Sequence, residues 1–177
     1  MSTLRSLEGQ YKAQISLLWH PVGGTPIGYH ADRPVKTASI IKLPILVHAA
    51  LLVDAGQLSW DQRVPLAASD VVPGMGVLRY LDAGVAPTLR DLCVLMTIIS
   101  DNTATNMLID MLGIAEINTR IETLGMTQTR LNRKVFAPNT PACLPYGLGV
   151  TSARDTVRLL AAIVDGSIGT AETNRFL

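Results

Sequence analysis

The chain has 177 residues, 48% of them hydrophobic and 16% charged, with a formal net charge of +1. That length suits one large domain or two small intimate ones with a substantial core, and the composition excludes a disordered chain. Lys and Arg are scattered and aromatic residues make up only 5%, so neither the basic stripe nor the stacking platform of a nucleic-acid binder is present.

The opening residues MSTLRSLEGQ lack the apolar core of a secretory signal. The expected location is therefore cytoplasmic, or periplasmic or secreted if a signal was removed. Gln14–His20 reads as an apolar strand, broken by Gly23-Gly24-Thr25-Pro26 and resumed at Ile27–His30, which predicts a β-hairpin. A first helix is predicted from Ser39 to about Ala55, with Gly56 as its stop. Apolar residues surround it on nearly every side, as in a buried central helix, and Pro44 early in it threatens a slight kink. The longest apolar run, Leu43–Val53, contains His48 and is too short to cross a bilayer.

Trp60–Pro73 is a mixed stretch, and Pro73-Gly74-Met75-Gly76 has the turn chemistry of a mobile loop. Thr88 and Asp91 form a capping box for a second helix that stops at Ser100-Asp101-Asn102. Helices over about 103–112 and 115–124 end at Gly113 and Gly125. Met126–Val150, with prolines at 138, 141 and 145, reads as a long irregular loop. A last amphipathic helix covers Thr151–Val164, capped by Ser152 or Thr151 with Asp155 in its first turn, and Ala171–Leu177 can begin another. Cys93 and Cys143 read as free thiols, and His20, His30 and His48 lack ligand spacing, so no metal and no cofactor is expected.

Two short motifs carry chemistry. Ser39 precedes Lys42 by three residues, which at a helix start puts both on one face. A serine becomes nucleophilic when a base takes its proton, and a lysine is that base only where burial depresses its pKa. Ile40, Ile41, Leu43, Ile45 and Leu46 supply such surroundings. Read alone, the pair is a capping serine followed by a snorkelling surface lysine. Ser100-Asp101-Asn102 falls between two predicted helices, and alone it reads as a set of good caps.

Together the motifs match the pattern of serine β-lactamases and penicillin-binding proteins. The run from Thr88 through Met96, Ser100 to Leu108, Leu124-Gly125-Met126 and Thr129-Arg130-Leu131 closely resembles class A β-lactamases and related serine hydrolases. The resemblance implies an α+β fold of the β-lactamase/transpeptidase kind, a mostly helical domain with an incomplete antiparallel sheet. It divides the chain into 1–36 (the start of the α/β part), 37–165 (the helical part with the motifs) and 166–177 (the return to the α/β part). It implies Ser39 as nucleophile, Lys42 in removing its proton, Ser100 as relay to the leaving nitrogen, Asn102 as substrate holder and orienter of Lys42, and Asp101 as an inward tie. The Ser39 N–H would form half an oxyanion hole. The implied activity is hydrolysis of β-lactam amides through an acyl-enzyme, as in antibiotic resistance. A D-alanyl-D-alanine peptidase, an esterase and a catalytically dead binding module remain open.

Three departures stand out. Aligning Thr129–Arg133 places Val135 where class A enzymes carry the glutamate of deacylation, and no Asp or Glu occurs from Thr123 to Arg154. No Lys-Thr-Gly follows, which leads to the expectation of a fragment with weak activity, and of self-association through an uncovered sheet edge. Leu46 stands opposite Cys93 where many secreted members have a disulfide. The partner expected is a small molecule, a β-lactam or D-alanyl peptide; no nucleic acid and no membrane is expected. The loop from Ser69 to Tyr80 would rim the pocket, with Met75–Leu78 touching substrate, and Arg130 and Arg133 would pin the long loop through carbonyls.

Overall fold

The computed structural model describes residues 2–177. Helix α1 (Ser2–Tyr11) leads into an antiparallel hairpin of β1 (Leu17–Trp19) and β2 (Ile27–Tyr29), with Leu18 opposite Gly28. The predicted hairpin is present, its strands cut to three residues each. Glu8 binds α1 to it. Its carboxylate accepts from the Ile15 N–H at 2.7 Å and the Tyr29 hydroxyl at 2.7 Å and pairs with Arg33. Leu17, Trp19 and Ile27 face outward and are exposed.

A second antiparallel sheet is built from β3 (Val35–Lys36), β4 (Arg130–Leu131) and β5 (Gly149–Thr151) in the order β3-β5-β4. Val35 pairs with Thr151 and Leu131 with Gly149. The long segment expected to be irregular thus holds two short strands that return the chain to β3. Immediately after β3 the Thr37 N–H donates to the Gly149 carbonyl at 3.0 Å, so this sheet fixes where the next segment starts.

That segment corrects the predicted first helix. Ala38–Ile41 is a single 3-10 turn, and the α-helix α2 runs only from Lys42 to Asp54. Pro44 therefore lies in the first turn of α2, where its missing N–H would have had no intrahelical acceptor. The feared kink has no cause. α2 is the central helix, with Ile45, Val47, Ala49 and Ala50 fully buried, and α3 (Leu89–Ile98), α4 (Asn102–Leu112) and α5 (Ile114–Thr123) pack around it. Leu89, Leu92, Met96, Leu108, Ile117 and Ile121 complete this core, each contributing about 1.5–3 kcal/mol by leaving water.

The stops and caps fall where expected. Thr88 Oγ1 accepts from the Asp91 N–H at 3.0 Å, and Asp91 accepts from the Thr88 N–H at 2.9 Å. Gly113, at φ +79°, ends α4 and begins α5. A side chain there would collide with the Glu116 carboxylate. Ser152 is the cap of α6 (Ala153–Val164), and α7 (Ala171–Phe176) follows, its Thr170 and Thr173 bonded to Asp54 at the end of α2. Both cysteines are free and buried. No helix among the described residues is long and apolar enough to cross a membrane.

Candidate active site

The 3-10 turn at Ala38–Ile41 decides the presentation of Ser39. In 3-10 geometry residues three apart share one face, which puts Ser39 on the side of the chain that leads to Lys42 at the start of α2. Ala38 before it has φ +43° and Ser100 has φ +59°, both in the left-handed region that non-glycine residues rarely adopt. Such strain persists only where surrounding structure imposes it, as active sites often do. Ser39 is exposed and Lys42 is 5% exposed, so a hydroxyl at the surface is paired with an amine in the interior.

The side chains form a relay. Ser39 Oγ and Ser100 Oγ are 2.8 Å apart. Lys42 Nζ donates to Ser100 Oγ at 2.7 Å, to the Ser100 carbonyl at 2.7 Å and to Asn102 Oδ1 at 3.3 Å. Lys42 therefore reaches Ser39 through the Ser100 hydroxyl. Burial lowers the Lys42 pKa from its usual 10.5, and the Asp101 charge works in the opposite direction. The four motif residues picked from the sequence are all brought together here.

Asp101 holds the far wall. It is 1% exposed, and its Oδ2 accepts from the Val77 N–H at 2.7 Å and the Leu78 N–H at 3.0 Å while Oδ1 accepts from the Ala104 N–H at 2.9 Å. One carboxylate thus caps α4 and closes the 73–78 loop. Asn102 contributes a further bond, its N–H donating to the Met75 carbonyl at 2.9 Å. Gly76, at φ +122°, lies so close to Asp101 that any Cβ would overlap the carboxylate. The turn expected to be mobile is pinned to the motif.

The opposite wall is set by a residue the sequence reading passed over. Asn106, 4% exposed on α4, accepts from the Val135 N–H at 2.8 Å and donates to the Val135 carbonyl at 3.1 Å. The signal was an asparagine among Met107, Leu108 and Ile109, a buried amide that needs partners. The Val135 backbone is bracketed while its side chain is hydrocarbon. Phe136, exposed at φ +60°, brings its ring against Gly74. No carboxylate among the described residues hydrogen-bonds Ser39, Lys42 or Ser100. Arg133 does pin its loop, through the Lys134 carbonyl and Asn139. No cluster of three or more His, Cys, Asp or Glu is placed to hold a metal among the described residues.

A helical body carrying this serine, lysine and Ser-Asp-Asn set beside short antiparallel sheets has the architecture shared by β-lactamases and penicillin-binding proteins. The sequence model of the β-lactamase enzyme family matches residues 1–177, and the chain belongs to that family. It is 32% identical to β-lactamase ROB-1 of Haemophilus influenzae over 134 residues, 74% of this chain and 43% of that one. The structure of a β-lactamase from Sphaerobacter thermophilus superposes with a TM-score of 0.79 at 35% identity, covering 86% of this chain and 57% of the other. A variant of PBP-A, solved as an acyl-enzyme complex with penicillin G, superposes at 0.83 and 29% identity over 99% of this chain and 65% of its own. The chain spans about half the length of the curated relatives it matches.

Proposed function

We propose that Ser39 is acylated by β-lactams through opening of the ring amide, and that the adduct is released slowly. The observation that supports this most directly is the unbroken Ser39–Ser100–Lys42 relay, with steps of 2.8 and 2.7 Å. With Lys42 as the neutral amine that burial favours, its lone pair accepts from Ser100 and its two N–H groups serve the Ser100 carbonyl and Asn102. The Ser39 proton then passes to Ser100 as the Ser100 proton passes to Lys42, and Ser39 Oγ bonds to the lactam carbonyl carbon. The oxyanion is stabilised by the Ser39 N–H, in a first turn whose N–H groups lack intrahelical acceptors. When the C–N bond breaks, the proton returns from Lys42 through Ser100 to the leaving nitrogen. The Asn102 amide N–H, held by the Pro73 carbonyl at only 3.3 Å, is available to a substrate carbonyl.

Deacylation needs a group that takes a proton from water, and the Val135 side chain has none to offer. That favours trapping over turnover, the behaviour of a penicillin-binding protein or D-alanyl-D-alanine peptidase on the same scaffold. Intact-mass measurement with a reactive penicillin tests the reading. One long-lived adduct, abolished by Ser39→Ala, is the expected result. No adduct refutes acylation, and fast steady turnover refutes slow release.

A further inference from the structure

Farther along the same helix, six residues after Lys42 at its middle, lies a cleft that acylation does not use. His48 sits on α2 and is 5% exposed, yet neither ring nitrogen has a hydrogen-bond partner. Arg120 on α5 likewise has a buried, unpartnered Nε. Buried polar groups without partners are rare, because desolvation is then uncompensated. Both side chains line one cleft of about 290 Å³ between α2 and α5, together with Glu116, Thr119 and Thr123.

The donors decide the ligand. Thr119 Oγ1 already donates to the Ala115 carbonyl at 3.1 Å and Thr123 Oγ1 to the Arg120 carbonyl at 2.8 Å, so neither hydroxyl proton is free. The guanidinium and the imidazole are left as the unpaired donor groups of the cleft lining, with the Arg120 Nε and both His48 nitrogens covered from solvent. Glu116 supplies the opposing charge, but its carboxylate folds back over Gly113, at the start of α5. A complementary occupant accepts hydrogen bonds, carries negative charge and is small. We propose that this cleft binds a small oxyanion, a carboxylate or a phosphate, between Arg120 and His48.

The electrostatics agree. Burial and the Arg120 charge depress the His48 pKa while Glu116 raises it, and an anion beside Arg120 would raise it further. Binding here is independent of acylation at Ser39, so the test reads the imidazole alone. The chain has three histidines, and exposed His20 and His30 serve as internal controls for nonspecific effects. The full chain is titrated with inorganic phosphate, with acetate and with chloride at constant ionic strength, and the ring ¹⁵N shifts are followed. The expected result is a saturable His48 shift with phosphate, acetate or both, His20 and His30 staying still. A response to phosphate alone assigns a tetrahedral anion, and one to acetate a carboxylate.

Arg120→Gln should weaken binding about tenfold or more, as loss of a charge-assisted hydrogen bond does, and Glu116→Gln should tighten it. The two substitutions move affinity in opposite directions, which a packing role would not do. The proposal is overturned if His48 shows no saturable shift, if chloride produces the same shift, or if Arg120→Gln responds like the parent.

Discussion

Replacing Asp101 by Asn tests whether one buried carboxylate holds both the cap of α4 and the wall of the site. The parent serves three backbone N–H groups, Val77 and Leu78 on Oδ2 and Ala104 on Oδ1. An asparagine has a single oxygen. Turned toward Val77 and Leu78, it keeps two bonds and aims its NH₂ at the Ala104 donor; turned the other way, it keeps one. The better orientation loses one charge-assisted bond, about 1.5–3 kcal/mol, and leaves a buried N–H unpaired, about 1–3 kcal/mol. A net cost of about 3–5 kcal/mol is expected, a large share of the ~5–15 kcal/mol that typically separates folded from unfolded states. Urea unfolding measures it, and amide exchange at Ala104 should accelerate more than at Val77 and Leu78. A cost below about 1 kcal/mol, the range of an ordinary surface substitution, would refute the reasoning.

Further outcomes are expected at three residues. Val135→Glu should shorten the lifetime of a penicilloyl adduct by about 10²-fold, the lower range for a positioned general base, as followed by intact mass after excess drug is removed. Acylation of Ser39 should rise with pH through a value below the 10.5 of free lysine and lose that dependence in Lys42→Arg. Because folding lowers the Lys42 pKa, the unfolded chain binds its proton more tightly, so this group's penalty on stability is full below the folded pKa and fades as pH climbs toward 10.5. Glu8 shows the opposite sign. The Ile15 N–H, the Tyr29 hydroxyl and Arg33 hold its pKa at about 2 instead of 4.5, so its tie between α1 and the hairpin is intact above 4.5 and lost as pH falls through about 2. A carboxyl titration by NMR checks the value, and Glu8→Gln should abolish the acid transition of α1.

The helical body was legible because its boundaries are written locally. Thr88 with Asp91, Gly113 and Ser152 each satisfy or end a helix through contacts within four residues. The Ser39–Lys42 and Ser100–Asn102 motifs were legible because short spacings encode their geometry. What escaped was imposed from afar. β4 and β5 have two and three residues, too few for alternation to show, and they exist because β3, about 100 residues earlier, supplies the ladder. The left-handed Ala38 has no glycine to announce it; the Thr37 bond to Gly149 fixes the entry to a turn that no local preference selects. Asn106 and Arg120 were passed over, and His48 was read only as lacking ligand spacing, for a related reason, since a buried polar residue on a helix reveals its purpose only when its neighbours on other elements are known.

The Asn106 bracket on Val135 has a consequence for how such a protein changes over generations. Both bonds go to the main chain, so the loop keeps its course whatever side chain position 135 carries. Placement and chemistry are inherited separately there. A valine codon and a glutamate codon can differ in the middle base alone, so one mutation could deliver a carboxylate to a backbone already held in position. Under the proposed acylation of Ser39, a form that holds the adduct and a form that releases it are neighbours in sequence space, with no rebuilding of the fold between them.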